Sequence, residues 1–220
     1  MRKFLLLVAF CLASYVNVGL AEERVQFDEG VDYQLIKPSQ PTDDPNRIEV
    51  VEIFWYGCPH CNYFEPSLGP WVKKAPKDVN FYRLPAVFND VWEVHARAYF
   101  AAEILNVLDK SHDDLFHALH VEHKALNTME KLAKFYTQYG VDEKLFEKTY
   151  HSFVVNTKVA RSKDMVGRYG VNGVPALVVE GKYLVTGALA KSYGNMIKIT
   201  DYLVEKERQS RWLKSVSDLY

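Results

Sequence analysis

Runs of β-branched and aromatic residues mark the candidate strands of this chain. The strongest run, RIEVVEIFWYG at residues 47–57, is almost continuously apolar, which is typical of a strand buried on both faces. A second run, VNFYRLP, occupies residues 79–85, and alternating apolar positions predict an earlier strand within residues 30–38. The signal returns at residues 173–187, where Glu180–Gly181 separates two apolar stretches and indicates a tight hairpin.

Helical spacing of apolar residues fills most of the remaining chain. Residues 58–76 predict a helix, since a proline suits its first turn, although Pro66 and Pro70 would bend or interrupt it. Residues 89 to about 169 predict several helices in succession, and residues 192–210 predict a last one. This order predicts an α/β fold, in which a small mixed sheet is covered by helices and interrupted by a helical subdomain of about 80 residues.

The first residues are typical of a secretory signal peptide. Arg2 and Lys3 precede an apolar run at residues 4–13, and small residues follow at Gly19 and Ala21. A membrane anchor is the alternative, but spanning a bilayer takes about 20 apolar residues and this run is half that length. We therefore expect export of the protein and cleavage after Ala21.

Composition narrows the classes of function. Hydrophobic residues make up 48% and aromatic residues 14% of the chain, which indicates a well-packed globular protein. The formal net charge of −1 offers no basic surface to nucleic acid. Cleavage after Ala21 would remove Cys11 and leave only Cys58 and Cys61, so an exported chain would have no cysteines left for a stabilising disulfide framework.

The motif Cys-Pro-His-Cys at residues 58–61 is compatible with several chemistries. A structural zinc site takes four ligands, and the helical block offers four histidines: His112, His117, His120 and His123. His117, His120 and His123 are three residues apart and spread over a wide arc of one helix, so a solvated helix face is the simpler interpretation. Attachment of a c-type haem needs histidine directly after the second cysteine, where this chain has Asn62. A purely structural disulfide would close a very short loop and constrain little of the unfolded chain.

Thiol–disulfide exchange fits the surroundings of the motif best. The motif follows a hydrophobic strand and begins a helix, which is the context of a thioredoxin-like redox pair. The helix start would lower the pKa of Cys58, and a protonated His60 would add positive charge nearby. Cys61, one turn later, would be more buried and could attack a mixed disulfide formed at Cys58. Because a stabilised thiolate makes the disulfide form a stronger oxidant, we expect a disulfide donor.

The chain resembles the DsbA family of thiol:disulfide oxidoreductases over nearly all of its expected mature length. The resemblance rests on VVEIFWYGCPHC, on SFVV at residues 152–155, and on GVPALVVEGKY at residues 173–183. It implies a thioredoxin fold with an inserted all-helical domain. The expected division is a signal peptide at 1–21, a thioredoxin-like domain at 22–88 and 164–220, and the helical insertion at 89–163.

The resemblance also implies roles for individual residues. Cys58 matches the exposed nucleophile of the family and Cys61 the resolving cysteine, and Pro59–His60 matches the dipeptide that tunes them. Val174–Pro175 matches a cis-proline loop that lies against the active-site disulfide. Such a loop offers the Val174 backbone to an extended substrate, as in strand addition.

Glu52 interrupts the apolar run of the expected central strand, where a carboxylate is costly unless it is paired or protonated. The family has an acid here that assists proton transfer to the buried cysteine. Arg83, on the neighbouring predicted strand, stands where the family has a basic residue. A structural ion pair, or partial exposure of both side chains, is the alternative interpretation.

The signal peptide predicts export, and the resemblance adds the compartment and the partners. It implies a periplasmic monomer that oxidises exported, unfolded polypeptides with free cysteines and is reoxidised by a DsbB-like quinone-linked membrane protein. No cofactor is expected beyond the Cys58–Cys61 disulfide. A disulfide isomerase or reductase, and a metal or folding chaperone with thiol ligands, stay open as alternatives. Residues 208–220 extend past the usual end of the family, and either pack on the domain or contact another chain.

Overall fold

A computed structural model of the protein describes residues 26–217. The predicted signal peptide, Cys11 and the last three residues lie outside this range. The strands are β1 (Gln34–Leu35), β2 (Ile48–Phe54), β3 (Val79–Pro85), β4 (Ala176–Val179) and β5 (Tyr183–Thr186). The helices are α1 (Pro59–Lys74), α2 (Asp90–Ile104), α3 (Leu108–His120), α4 (Met129–Tyr136), α5 (Glu143–Tyr150), α6 (Phe153–Arg168), α7 (Gly187–Ala190) and α8 (Tyr193–Ser217).

The five strands form one mixed sheet in the order β1-β5-β4-β2-β3. Strand β2 pairs in parallel with β3 and antiparallel with β4, and all of its residues are buried, as its apolar run predicts. Strands β4 and β5 form the predicted hairpin, and both turn residues have positive φ, 54° at Glu180 and 59° at Gly181. The mixed sheet and the hairpin are therefore confirmed, whereas the predicted first strand shortens to two residues.

Helices cover both faces of the sheet. Ile48 and Val50 of β2 face one side of the sheet. Two helices pack on this side, α1 with Phe64 and Leu68, and α8 with Met196, Ile199 and Leu203. Val51 and Ile53 face the opposite side, against Val166 and Tyr169 at the end of α6. Because side chains alternate along a strand, Glu52 lies on the same face as Val50, beneath α1.

Helices α2 to α6 form a helical block between β3 and β4, with a core of its own. The largest buried side chains of this core include Tyr99, Phe116, Tyr136 and Phe146. The same cluster takes in Phe54 and Tyr56, which lead into the Cys-Pro-His-Cys motif. Helix α6 contributes to two cores, with Val155 and Val159 in the helical block and Val166 against the sheet. The predicted domain boundary at 163 falls inside this helix, so the division into domains stays a prediction.

Helix α1 is a single helix of 16 residues that includes both internal prolines. An interruption at Pro66 or Pro70 is therefore wrong, whereas the other expectation, a bend, stays a prediction. Both prolines are exposed, so water can solvate the carbonyl groups that lose their helical N–H partner.

The last helix packs back on the domain as far as Arg211. Arg208 forms an ion pair with Asp78, with Nε 2.7 Å from Oδ2, and Arg211 lies 2.8 Å from Glu180 Oε2. Trp212 and Leu213 are exposed beyond this point. Among residues 26–217, no helix combines the length and the apolar character that crossing a membrane requires.

We expect Gly181→Ala to lower the free energy of unfolding by about 1–3 kcal/mol. The residue has positive φ, and a Cβ atom would collide with the backbone carbonyl of Gln40, which packs against the turn. Gly167→Ala is the matched control, because a Cβ at this helical position meets open space and should be neutral or stabilising by up to about 1 kcal/mol. Urea denaturation measures both variants, and equal losses would contradict the steric explanation.

Candidate active site

The end of β2 places Cys58 directly in front of α1. After Phe54 the chain turns, and the N–H of Cys58 donates a hydrogen bond to the carbonyl of Trp55 at 3.0 Å. Cys58 has an extended backbone as the residue that caps the helix, and Pro59 takes the first helical position, where its missing N–H costs nothing. The predicted strand–turn–helix context of the motif is confirmed.

The structure brings the two cysteines and the loop at Val174–Pro175 together. Both cysteines are free thiols; Cys61 is fully buried, and Cys58 is 9% exposed, which is less open than the exposed nucleophile that the resemblance implies. The sulfur of Cys58 lies 3.6 Å from the carbonyl oxygen of Val174, and the Val174–Pro175 peptide bond is cis. The backbone of a distant loop therefore borders the motif.

The pKa values of the two thiols are shifted in opposite directions. The pKa of Cys58 is lowered to about 6, chiefly by a hydrogen bond with the Cys61 thiol. The N–H groups of Cys61 and His60 and the charge of His60 lower this pKa further, whereas burial of Cys58 opposes the shift. The pKa of Cys61 is raised far above its ordinary value by burial, by the hydrogen bond to Cys58 and by the negative charges of Cys58 and Glu52. At neutral pH the reduced site therefore holds one thiolate and one thiol.

His60 lies at the exposed start of α1 and contacts a residue that the sequence did not point to. Its Nδ1 atom lies 3.1 Å from the hydroxyl of Tyr193, 133 residues away in the chain. His60 and Tyr193 line a cavity of about 550 Å³ together with the loop at Val174–Pro175. No local pattern could have revealed Tyr193, because it meets His60 only through the packing of α8 against α1.

Glu52 and Arg83 form the expected pair beneath the motif. Arg83 Nε donates to Glu52 Oε2 at 2.8 Å, and the Glu52 side chain is fully buried. Burial, followed by the negative charge of Glu65, raises the pKa of Glu52 to about 8, and Arg83 opposes this shift. Oε1 of Glu52 has no hydrogen-bond partner among the described residues. Glu52 is thus a carboxyl group that holds a proton at neutral pH.

Glu65 is a member of this network that the sequence analysis missed. Arg83 Nη2 contacts Glu65 Oε2 at 3.0 Å, and Glu65 Oε1 lies 3.3 Å from Nε2 of His112. The other ring nitrogen of His112 is 2.7 Å from the hydroxyl of Tyr56. A signal was present, because positions 58, 61 and 65 are spaced i, i+3 and i+7 and therefore share one helix face.

A metal could be considered where Glu65, His112 and Asp113 place ligand atoms within 4.8 Å of one another. Arg83 already supplies a positive charge at this point, and both ring nitrogens of His112 are engaged. Two other histidines that the sequence offered as ligands have different partners. His117 contacts the Glu122 carboxylate, and His120 contacts the carbonyl oxygen of Tyr56. The arrangement favours an ion-pair network over a metal site.

Comparisons with known proteins agree with this geometry. The model of the DSBA-like thioredoxin domain family matches residues 78–191. The thiol:disulfide interchange protein DsbA of Pseudomonas aeruginosa is 40% identical over 208 residues, covering 94% of this chain and 98% of its own length. The protein of the same name from Azotobacter vinelandii is 37% identical over 214 residues, covering 96% of this chain and 100% of its own.

A solved structure gives the same result for the fold. The crystal structure of Pseudomonas aeruginosa DsbA superposes with a TM-score of 0.80 at 42% identity, over 84% of this chain and 96% of that one. The predicted thioredoxin fold and the family resemblance are therefore confirmed. With relatives that match nearly its whole length, the chain belongs to the DsbA-like family of thiol:disulfide interchange proteins.

Proposed function

We propose that this thiol:disulfide oxidoreductase is a disulfide donor, which passes its Cys58–Cys61 disulfide to exported polypeptides with free cysteines. The observation that carries the proposal is the depressed pKa of Cys58, about 6, beside a buried Cys61 whose pKa is raised. A thiolate that is stabilised at neutral pH favours the reduced form of the protein, so the oxidised form tends to accept electrons. An isomerase or reductase must instead start from the reduced state.

The first half of the proposed reaction breaks the disulfide of the protein. A substrate thiolate attacks the sulfur of Cys58, which is the more exposed of the two cysteines, and forms a mixed disulfide. Cys61 leaves with the electron pair of the broken S–S bond and takes up a proton. Glu52 supports this step because its carboxyl group, with a pKa of about 8, holds a proton at neutral pH that it can give to the leaving Cys61.

The second half releases the substrate. A second substrate thiolate attacks the substrate sulfur of the mixed disulfide, and Cys58 leaves as a thiolate. Since the pKa of Cys58 is about 6, this leaving group needs no proton at neutral pH. Two substrate thiols have then become one disulfide, and the two electrons are held by the reduced Cys58–Cys61 pair.

The surroundings of Cys58 suit an extended polypeptide substrate. The carbonyl of Val174 borders the sulfur of Cys58, and a backbone group in that position can pair with a substrate strand while Cys58 reacts. The cavity beside this loop, lined by His60, Pro175 and Tyr193 among others, has room for substrate side chains. Val174 and Pro175 are therefore the proposed substrate-binding residues.

The proposal includes the cellular setting that the family implies. The protein would act in the periplasm as a monomer, after cleavage of a signal peptide, with residues 22–88 and 164–220 as the thioredoxin-like domain and 89–163 as the insertion. A catalytic cycle requires an oxidant to restore the Cys58–Cys61 disulfide, and a DsbB-like quinone-linked membrane protein is the proposed one. No further cofactor takes part in the proposed reaction.

Titration of the thiolate tests the direction of electron flow. The ultraviolet absorbance of the reduced protein should rise with a midpoint near pH 6, as the pKa of Cys58 indicates. Against glutathione, the Cys58–Cys61 pair should be more oxidising than thioredoxin. A midpoint near 9, the ordinary value for a thiol, together with a strongly reducing potential would contradict the donor assignment.

The same pKa predicts how stability depends on pH. The folded value, about 6, lies below the ordinary value of 9, so the unfolded reduced chain binds more protons between these pH values. This contribution to the stability of the reduced protein grows as pH rises from about 6 to 9 and is lost as pH falls through 6. The oxidised protein lacks it, so urea denaturation of both forms should show the reduced form gaining stability relative to the oxidised form as pH rises from about 6 to 9.

Single-cysteine variants test which sulfur reacts. Cys61→Ala should accumulate mixed disulfides through Cys58 when it meets a disulfide-containing peptide, because no second thiol can resolve them. Cys58→Ala leaves a buried thiol of high pKa and should form adducts at least roughly tenfold more slowly, since little thiolate is present. Non-reducing electrophoresis and mass spectrometry measure the adducts, and equal yields would reject Cys58 as the nucleophile.

Substitution of the buried carboxyl tests proton transfer. Glu52→Gln should slow reduction of the protein by a dithiol peptide at pH 7 by roughly tenfold or more, since the leaving Cys61 loses its proton donor. The defect should shrink above pH 8, where Glu52 itself is deprotonated. Stopped-flow fluorescence provides the rates. Glu49→Gln is the matched control, because Glu49 is buried on the same strand and faces away from the cysteines; equal slowing in both variants would assign Glu52 a structural role.

A further inference from the structure

The contact between His60 and Tyr193 joins two helices at the edge of the active site. His60 is the second residue of α1, and Tyr193 is the first residue of α8. Nδ1 of His60 lies 3.1 Å from the Tyr193 hydroxyl, within hydrogen-bond distance. Both side chains line the cavity beside Val174–Pro175. The contact therefore lies within the proposed reaction site, although the reaction as described does not use Tyr193.

The two partners differ in how firmly they are held. The ring of Tyr193 packs on Phe64 with centroids 5.6 Å apart, and Phe64 is fully buried in the core between α1 and the sheet. His60 is exposed, and an exposed side chain ordinarily samples several rotamers. The hydroxyl of Tyr193 is thus a fixed point to which a mobile imidazole is attached.

We propose that Tyr193 is a positioning residue, whose hydroxyl holds the imidazole of His60 beside the sulfur of Cys58. The inference rests on the proposed function, because it assigns to Tyr193 a share in stabilising the Cys58 thiolate. A hydroxyl group both donates and accepts, so it can donate to Nδ1 of a neutral imidazole and accept from Nδ1–H of a protonated one. The attachment is therefore kept in both protonation states of His60.

The groups that interact with Cys58 indicate that Tyr193 acts through its hydrogen bond to His60 and not through a charge of its own. Cys61 and His60, both on α1, are the titratable groups that lower the pKa of Cys58. From α8, Tyr193 faces the same sulfur, and its own pKa is raised by burial and then by the negative charges of Cys58, Cys61 and Tyr63. Tyr193 therefore stays neutral at physiological pH, and its effect on the thiolate passes through the orientation of His60.

A double-mutant cycle tests the proposal. Tyr193→Phe keeps the ring on Phe64 and removes only the hydroxyl, and it should raise the pKa of Cys58 by about half a unit, the size expected for one modest hydrogen bond. The redox equilibrium with glutathione should become about threefold less oxidising in consequence. In a His60→Ala background the same substitution should leave the pKa of Cys58 unchanged. Ultraviolet titration and redox equilibration with glutathione provide the readouts.

Tyr63→Phe is the matched control. Tyr63 also lies beside His60, with ring centroids 6.4 Å apart, but it is exposed and its contact with His60 is an edge-to-face ring contact. Removal of its hydroxyl should leave the pKa of Cys58 where it is. Equal shifts in the Tyr63 and Tyr193 variants would overturn the proposal, because the effect would then follow from any nearby hydroxyl.

The outcomes separate this inference from the proposed function. A wild-type midpoint near 9 would overturn the donor function and the inference with it. A wild-type midpoint near 6 that does not move in Tyr193→Phe would overturn the inference alone. A shift that persists in the His60→Ala background would also overturn it, because Tyr193 would then act on Cys58 without His60.

Discussion

The Cys61 thiol, one turn into α1, is the largest influence that lowers the pKa of Cys58, and much of the fold serves to hold these two residues in place. The buried strand β2 delivers the chain to the helix start, and Pro59 fixes the first helical residue. Phe54 and Tyr56 anchor the approach in the core of the helical block, which also includes both cysteines. Because sheet, helix and inserted block all meet at this turn, a shift in any of them would change the interactions that lower the pKa of Cys58.

Below this pair lies a polar network that a protein built only for stability would avoid. Glu52, Arg83, Glu65, His112 and Tyr56 follow one another in contacts of 2.7 to 3.3 Å, from the central strand to the helical block. One oxygen of Glu52 stays without a partner among the described residues, and burial keeps its carboxyl group protonated at neutral pH. A buried polar atom without a partner costs free energy. That cost is understandable if the carboxyl group exchanges protons with Cys61, since a fully paired carboxylate would have no proton to give.

Local patterns in the sequence predicted the elements, and distant contacts decided the rest. The apolar run of β2, the Glu180–Gly181 turn and the Pro59 helix start depend on neighbouring residues, so periodicity and turn chemistry were sufficient. The arrangement of Val174 against Cys58 followed from family resemblance alone, since over a hundred residues separate them. No sequence pattern indicated Tyr193, because its contact with His60 exists only once α8 has packed against α1. Pro66 and Pro70 do not interrupt α1, because both are exposed and water can solvate the carbonyl groups that lose their helical partner.

On the proposed mechanism, the direction of electron flow depends on interactions that only the reduced protein can make. The hydrogen bond from Cys61 requires a thiol, and the attraction of the helix N–H groups and of His60 requires a charge on Cys58. Oxidation removes the thiol proton and the charge together, so these contributions vanish in the disulfide form. Each of these interactions therefore contributes its whole free energy to the difference between the reduced and the oxidised protein. The protein donates its disulfide because the fold stabilises the Cys58 thiolate. On the proposal made above, a residue such as Tyr193 contributes to this stabilisation without contacting the sulfur.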